Sequence, residues 1–292
     1  MKSFCIYLHD EKSPVEFEKK ILWLKGRYNL ISYNDVYDIV YNGKVLNNSC
    51  HITIDDGWKS TYDIVLPIMK RYNIPFSVFI SPLITTSELN FWYYNLKQCP
   101  NTHIYEEIIK REYFTKEISQ FPIELVLKEI GIDKEVDIID IVMKRNGINP
   151  YRGFMNKEEV EVLSKSSLVE IGAHTMLHPI LSLENESRSK KEIINSIDLL
   201  EDIIQNRVRS FAYPNGLYNI DFSEREENIL KGTSVKIAYS VNPGYVTKDT
   251  NPYCIPRIGS LKRLYLGYMG VLLPSLSSQA RIRKKIKELK IK

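Results

Sequence analysis

Residues 50–57, with the sequence CHITIDDG, join a short apolar run to two adjacent acidic residues. The run 50–54 is apolar or β-branched apart from His51, which predicts a strand. Asp55 and Asp56 follow it directly, and Gly57 permits a sharp backbone turn. Two neighbouring carboxylates repel each other unless a cation or a proton separates their roles. On its own the motif is weak evidence of a site, because Asp-Gly is a common turn pair.

The rest of the chain alternates apolar, β-rich runs with amphipathic patterns of helical period, which is typical of βα units around a parallel sheet. Capping patterns predict helices that begin after Ser13 and Asn156, and 187–205 has the spacing of a long amphipathic helix. The predicted strands are 4–8, 30–32, 50–54, 76–80, 168–171, 208–213, 237–240 and 254–258.

Residues 86–155 interrupt this alternation. They contain three helical patterns, at 103–112, 122–130 and 135–146, and an aromatic run at 91–94. Two interpretations stand side by side: an insertion or cap beside the active face, or a structural helical layer.

Composition and charge exclude several classes of protein. The chain has 292 residues, 43% hydrophobic and 26% charged, which is ordinary for a globular protein. A net charge of +4 is too balanced for a general nucleic-acid binder. Residues 281–292 contain seven basic residues and one acidic residue, a net charge of +6, so the other 280 residues sum to −2.

The basic C-terminal stretch has helical spacing, with Ile282, Ile286 and Leu289 on one side. Together with the apolar segment 264–273 it predicts either peripheral contact with an anionic membrane surface or a solvated, frayed helix. No run approaches the roughly 18 apolar residues of a spanning helix.

The four cysteines are widely separated, which argues against a zinc ribbon or a disulfide framework and favours reduced thiols in a reducing compartment. The N-terminal apolar run is too short for a signal peptide and is typical of a first strand. We therefore expect a cytoplasmic protein, with the membrane surface as a further possibility.

A second motif follows the predicted strand 168–171, where His174 and His178 are spaced i and i+4 in GAHTMLHP. We expect both on one face of a helical turn, close enough to share a metal ion. Parallel strands end at one face of a sheet, so Asp56 can join them there. Three N/O ligands with open positions are typical of a catalytic metal site. Taken alone, the two histidines also fit a solvated loop.

A third motif, RSFAYPNG at 209–216, again runs from a strand into a turn. The turn can leave the backbone N–H of Asn215 pointing into the site, as an oxyanion hole requires. Taken alone, it also fits an ordinary turn at the end of a strand.

Together and in this order, the three motifs resemble those of the polysaccharide deacetylases, the NodB-homology group of carbohydrate esterase family 4. The resemblance covers roughly residues 3–260. Residues 53–57 (TIDDG) are similar to the family motif (T/S)FDDG, and residues 174–178 (HTMLH) match H(S/T)xxH in full. It implies an α/β fold, a distorted (β/α)7-type barrel over 1–260. Residues 86–155 would be inserted between the first and second metal motifs, and 261–292 would form a separate tail.

The resemblance also implies roles for individual residues. Asp55 corresponds to the general base. Asp56, His174 and His178 correspond to the ligands of a divalent metal ion, with zinc as the expected ion, and the backbone N–H of Asn215 corresponds to the oxyanion donor.

Two departures from the family pattern change the surroundings of the site. Ala212 replaces the arginine that usually pairs with the base, and Arg257 could reach the same carboxylate. The C-terminal LxH motif, which supplies an acid histidine, is missing. The subgroup that resembles poly-N-acetylglucosamine deacetylases takes this histidine from the end of the first strand, which makes His9 the candidate acid. We expect His51 and His103 to be structural.

The resemblance therefore predicts a metal-dependent deacetylase that acts on an N-acetylated or O-acetylated sugar of a poly- or oligosaccharide, with no nucleic-acid partner. A deformylase or other amide hydrolase acting on a lipid- or nucleotide-linked sugar is one alternative. A non-catalytic carbohydrate-binding relative is another, because the usual arginine and LxH motifs are absent.

Overall fold

The computed structural model describes residues 3–87, 89–259 and 274–291. Every paired strand in this part of the chain is parallel to its neighbour. The strands are β1 Phe4–Leu8, β2 Asn29–Ile31, β3 Ser49–Ile54, β4 Phe76–Ile80, β5 Val169–Ala173, β6 Ser210–Ala212, β7 Ile237–Tyr239 and β8 Arg257–Ile258.

The strands follow the order β7-β6-β5-β4-β3-β1-β8, and the short β2 also pairs with β3. The segment just before β8 returns to β7, where the Ala238 amide donates to the Pro252 carbonyl at 2.8 Å and the Ile255 amide donates to the Ala238 carbonyl at 2.8 Å. The sheet therefore curves into a nearly closed barrel, which confirms the predicted (β/α)7-type α/β architecture.

The helices cover the outside of the barrel and the segment between β4 and β5. They are α1 Pro14–Lys25, α2 Tyr33–Asn42, α3 Leu66–Arg71, α4 Pro82–Thr86, α5 Trp92–Leu96, α6 Asn101–Lys110, α7 Ile123–Leu127, α8 Ile132–Arg145, α9 Lys157–Ser164, α10 Glu186–Ile204, α11 Glu224–Lys231 and α12 Pro274–Glu288. The expected caps are present: Ser13 accepts from the Glu16 amide, and Asn156 and Glu159 form a reciprocal capping box.

The main core lies between the strands and the helices packed on them. All residues of β3 and β4 are buried, as expected for central parallel strands covered on both faces. His51 of β3 is part of this interior, where its ring bonds the Ile31 carbonyl at 2.8 Å and the Ser77 hydroxyl at 2.9 Å. Those contacts fit the structural role expected for it. His103 lies on α6.

Residues 86–155 have an apolar cluster of their own, built from α5 to α8, and α12 contributes to it. Ile286 is completely buried in this cluster, with Ile282 and Leu289 packed at its edge. In this arrangement the apolar face of the basic C-terminal helix faces protein, so those three side chains are not presented to a membrane. The predicted apolar segment 264–273 lies outside the described residues. No helix in the described part of the chain is long and apolar enough to cross a bilayer.

Candidate metal centre

The carboxyl end of β3 directs two buried carboxylates to the same end of the barrel. Asp55 and Asp56 are 3% and 4% exposed. Asp56 has a φ of 74° and Gly57 a φ of 71°, so two successive residues take the left-handed conformation. This conformation is costly for a non-glycine residue and typically occurs where function requires a particular direction of the side chain.

Asp56 has one satisfied and one unsatisfied oxygen. Its Oδ2 accepts a hydrogen bond from the indole Nε1 of Trp58 at 3.1 Å. Its Oδ1 is buried and has no hydrogen-bond partner among the described residues. A buried carboxylate oxygen without a partner is costly, so a cation bound at Oδ1 would offset a real penalty.

Both motif histidines face this oxygen. Nε2 of His174 lies 3.5 Å and Nε2 of His178 lies 3.6 Å from Asp56 Oδ1. The three candidate ligand atoms lie within 4.8 Å of one another. The structure thus brings together the three residues that the sequence predicted as metal ligands.

The local backbone differs from the predicted helical turn. Residues 174–178 form a loop after β5, in which Thr175 has a φ of 64° and His178 a φ of 61°. The prediction of a helical turn was therefore wrong, although the proximity of the histidines was correctly expected. The loop is held by Glu192 of α10, which accepts from the amides of Met176 and Leu177 at 2.9 and 3.0 Å.

The ring orientation of His174 and the low pKa of His178 suit metal binding. Nδ1 of His174 lies 2.7 Å from the Ala212 carbonyl, which requires this nitrogen to carry a proton and directs Nε2 toward Asp56. Burial, together with the neighbouring His174, lowers the pKa of His178 to about 3. A neutral imidazole is the form that coordinates a cation. An N₂O donor set open on one side fits a catalytic divalent ion.

Asp55 is held in a different way. Arg257 of β8 grips it with both terminal nitrogens, Nη1 to Oδ1 at 2.7 Å and Nη2 to Oδ2 at 3.0 Å. The guanidinium is fixed in turn by the Thr53 hydroxyl at 2.9 Å and the Ser240 carbonyl at 3.0 Å. Burial raises the pKa of the Asp55 carboxyl, but Arg257, His174 and His9 together outweigh burial and hold that pKa below its usual value. Arg257 thus occupies the place inferred for it from the missing arginine at Ala212.

The two remaining predicted residues reach the same cavity from opposite sides. The cavity measures about 550 Å³. His9, just after β1, is exposed at its edge, with its ring 5.6 Å from that of Tyr7. Asn215 lies in the turn after β6 with a φ of 58°. A Cβ added at Gly216 would come within 2.9 Å of the Tyr213 carbonyl, so this turn requires glycine there.

Among the cavity residues that were not assigned a site role from the sequence, Trp58, Tyr93 and Lys128 lie against predicted ones. Trp58 binds Asp56, and Tyr93 places its ring 5.3 Å from that of His178. In the sequence, Tyr93 belongs to the aromatic run at 91–94, and Trp58 directly follows the Asp-Asp-Gly motif. These positions could have identified both residues as neighbours of the site. Lys128 follows α7 and donates to Asn215 Oδ1 at 2.6 Å, and no local motif marks it. The cavity is lined by His9, Asp10, Lys12, Asp56, Trp58, Trp92, Tyr93, Tyr94, Lys97, Glu124, Lys128, His178 and Asn215.

Comparison with known proteins agrees with this geometry. The family model for polysaccharide deacetylase matches residues 42–229. The chain is 23% identical over 257 residues to poly-beta-1,6-N-acetyl-D-glucosamine N-deacetylase of Staphylococcus aureus, covering 84% of this chain and 66% of that protein. The chain therefore spans slightly less than two thirds of the length of that relative.

Solved structures with the same fold cover nearly the whole chain. The structure of IcaB from Ammonifex degensii has a TM-score of 0.60 at 15% identity and covers 96% of this chain and 97% of its own. The Streptococcus pyogenes deacetylase PplD in complex with acetate has a TM-score of 0.59 at 15% identity, with coverages of 93% and 98%. At these identities the likeness establishes the fold.

Proposed function

The chain belongs to the polysaccharide deacetylase family, and from this we propose that it is a hydrolase that removes an acetyl group from an acetylated sugar of a poly- or oligosaccharide. The observation that carries the proposal is the buried, unpartnered Oδ1 of Asp56 facing two histidine Nε2 atoms, next to the Asp55–Arg257 pair. The S. aureus relative is named for an N-deacetylase of poly-β-1,6-N-acetyl-D-glucosamine. We infer an N-acetylated amino sugar as the first substrate to test.

The roles of the residues follow from their positions. A divalent ion held by Asp56, His174 and His178, zinc in our proposal, would supply Lewis-acid activation of the attacking water and of the acyl oxygen. Asp55 accepts the proton of that water as it attacks the acyl carbon. Arg257 keeps Asp55 ionised and fixes its plane through two parallel hydrogen bonds.

The other two assigned residues act on the substrate side of the cavity. The backbone N–H of Asn215 donates to the acyl oxygen as negative charge develops there. His9 protonates the leaving nitrogen when the tetrahedral intermediate collapses, and its exposed position at the cavity edge leaves it open to the substrate.

Released acetate should be measured with an acetylated hexosamine oligomer and added zinc. We expect Asp55→Asn to keep its metal content by elemental analysis and to lose at least about 100-fold in kcat/KM. Metal content separates the base from the ligands, because His174→Ala should lose the ion as well. An Asp55→Asn variant that keeps its turnover would remove Asp55 as the base.

The assignment of His9 has a sharper test. We expect His9→Ala to lose about 100-fold on an N-acetyl substrate and much less on an aryl acetate, whose leaving group departs without a proton. His103→Ala is the matched control, because His103 lies on α6. Equal losses of His9→Ala on both substrates would contradict the acid role.

The location of the chain in the cell stays a prediction. We propose the cytoplasm, with peripheral membrane contact as a further possibility. In the described structure such contact would use the outward basic side chains of α12, such as Lys284 and Lys285, which are exposed.

A further inference from the structure

Lys128 places a positive charge against the wall of the cavity without a carboxylate hydrogen-bonded to it. Its ammonium donates to the neutral carboxamide oxygen of Asn215 at 2.6 Å. Burial lowers the pKa of Lys128, with nearby carboxylates acting against this effect. A desolvated ammonium next to a neutral partner is costly, and an anion supplied by a ligand would offset that cost.

Most of the acidic residues near Lys128 either bind another cation or have a raised pKa. Glu129 and Asp221 both bind Arg283 of α12, the latter at 2.6 Å. Burial raises the pKa of Glu135 well above its usual value, which favours the neutral form of this carboxyl. Glu124 remains, and it is exposed at the edge of the cavity.

A second donor points to a missing acceptor at the same place. Because Lys128 can only donate, Asn215 must present its oxygen to the ammonium, which fixes the orientation of the carboxamide. Its Nδ2 is buried and has no partner among the described residues. Both side chains line the cavity that contains Asp56 and His178. An oxygen of a molecule bound in this cavity would supply the missing acceptor.

Two other lysines also line the cavity. Lys97 is exposed and lines the cavity beside Trp92. Lys12 also lines it, 3.6 Å from Asp10. Asp10 in turn accepts from the Ser60 hydroxyl at 2.8 Å, so its charge is partly satisfied by the protein.

We propose that Lys128 and Asn215 Nδ2 form a subsite for an anionic oxygen of the substrate, a phosphate or a carboxylate, on or next to the acylated sugar. Lys97 strengthens the attraction from the cavity edge. The preferred substrate is thus an acidic glycan or a sugar phosphate rather than a neutral homopolymer. The subsite rests on the proposed function, because it selects among the substrates of that one reaction.

The test compares three acylated sugars at low ionic strength: neutral N-acetylglucosamine oligomers, N-acetylglucosamine 1-phosphate, and a disaccharide of N-acetylglucosamine and glucuronate. The wild type should favour one or both anionic compounds. Lys128→Met should lose about 10- to 100-fold in kcat/KM on the favoured anion, as expected for a charge-assisted hydrogen bond, and clearly less on the neutral oligomer. The two anionic arms show whether the charge comes from phosphate or uronate.

Control variants distinguish loss of the subsite from misfolding and from loss of the metal ion. Lys128→Arg should restore most of the preference. Lys97→Met, at an exposed position, should lower the same preference by a few-fold even if Lys128→Met folds poorly. Lys190→Met, exposed on α10 and remote from the cavity lining, controls for net charge. Equal metal content in all variants ensures that differences between them do not come from loss of the ion.

A binding measurement keeps this inference separate from the deacetylase proposal. Trp58 and Trp92 line the cavity, so their fluorescence reports occupancy even when no acetate is released. Absence of acetate together with tighter binding of the anionic sugars would overturn the reaction and support the subsite. Equal kcat/KM and equal binding for neutral and anionic sugars in the wild type would overturn the subsite, as would equal losses of Lys128→Met on both.

Discussion

Replacing Arg257 by methionine tests the most completely buried charge in the site. The side chain of Arg257 is fully buried and that of Asp55 is 5% exposed. The guanidinium also lies 5.0 Å from the ring centroid of Tyr7 and 5.6 Å from that of Phe79, so little water is available to replace it. In Arg257→Met the Asp55 carboxylate would remain buried without its counter-charge.

The size of the effect follows from this burial. Removing one partner of a buried ion pair costs about 3–5 kcal/mol, because the remaining charge is uncompensated. Asp55→Asn should also destabilise the fold, by stranding the guanidinium. In the double variant neither charge is left alone, so its loss should be smaller than the sum of the two single losses by about 2–3 kcal/mol. Urea unfolding of the metal-free chains, followed by circular dichroism, measures all four free energies.

Arg209→Met is the matched control. Arg209 binds Glu170 at a similar distance, 2.6 Å, but its side chain is 45% exposed. A half-exposed pair of this kind contributes about 1 kcal/mol or less. A coupling below about 0.5 kcal/mol between Arg257 and Asp55, or a loss in Arg209→Met equal to that in Arg257→Met, would refute the reasoning.

Two further predictions concern α12 and the pH dependence of stability. Arg283→Met should lower the free energy of unfolding by about 3 kcal/mol and raise KM. Arg283 binds both Glu129, which is next to Lys128, and Asp221, which lies in the loop that contains Asn215. The exposed Lys284→Met on the same helix is the control, and an unchanged KM would argue against a link to the site. Burial lowers the pKa of His51 from 6.5 to about 4 in the folded chain. As the pH falls, the unfolded chain therefore takes up a proton at this histidine before the folded chain does, so acid favours unfolding. Urea unfolding should show a loss of about 2 kcal/mol from pH 7 to pH 5 that His51→Gln lacks, and an equal loss in both proteins would contradict this.

The strands of the barrel could be predicted from the sequence because they carry a strong local signal, whereas closure of the sheet into a barrel was implied by the family resemblance. The predicted strands 4–8 and 76–80 coincide with β1 and β4, and the others differ from the observed bounds by one to three residues. The predicted helix 187–205 corresponds to α10, Glu186–Ile204. Apolar runs and capping residues determine such elements locally, and parallel strands ending at one face bring their terminal side chains together.

Local pattern was insufficient where the backbone is held by tertiary contacts. The i, i+4 spacing of His174 and His178 suggested a helical turn, but the His178 amide, which would donate to the His174 carbonyl in such a turn, donates to the Thr175 hydroxyl at 3.0 Å instead. Lys128 could not be identified because its role depends on where α7 packs relative to the turn after β6. A lysine at the end of a short helix is usually a solvated residue, and only its contact with Asn215 distinguishes it.

The C-terminal helix shows how a surface pattern can conceal an internal role. From composition alone, its basic residues and apolar stripe are as consistent with a helix on a membrane surface as with one that packs against protein. In the structure, however, Ile286 completes the core of residues 86–155, and Arg283 joins that layer to the barrel loop that contains Asn215 and Asp221. Asp221 Oδ2 also accepts from the Leu217 amide at 3.0 Å, two residues after Asn215. A continuous set of contacts thus runs from α12 to the proposed oxyanion donor, so truncation before α12 should impair catalysis even though none of the described side chains of α12 lines the cavity of the metal centre.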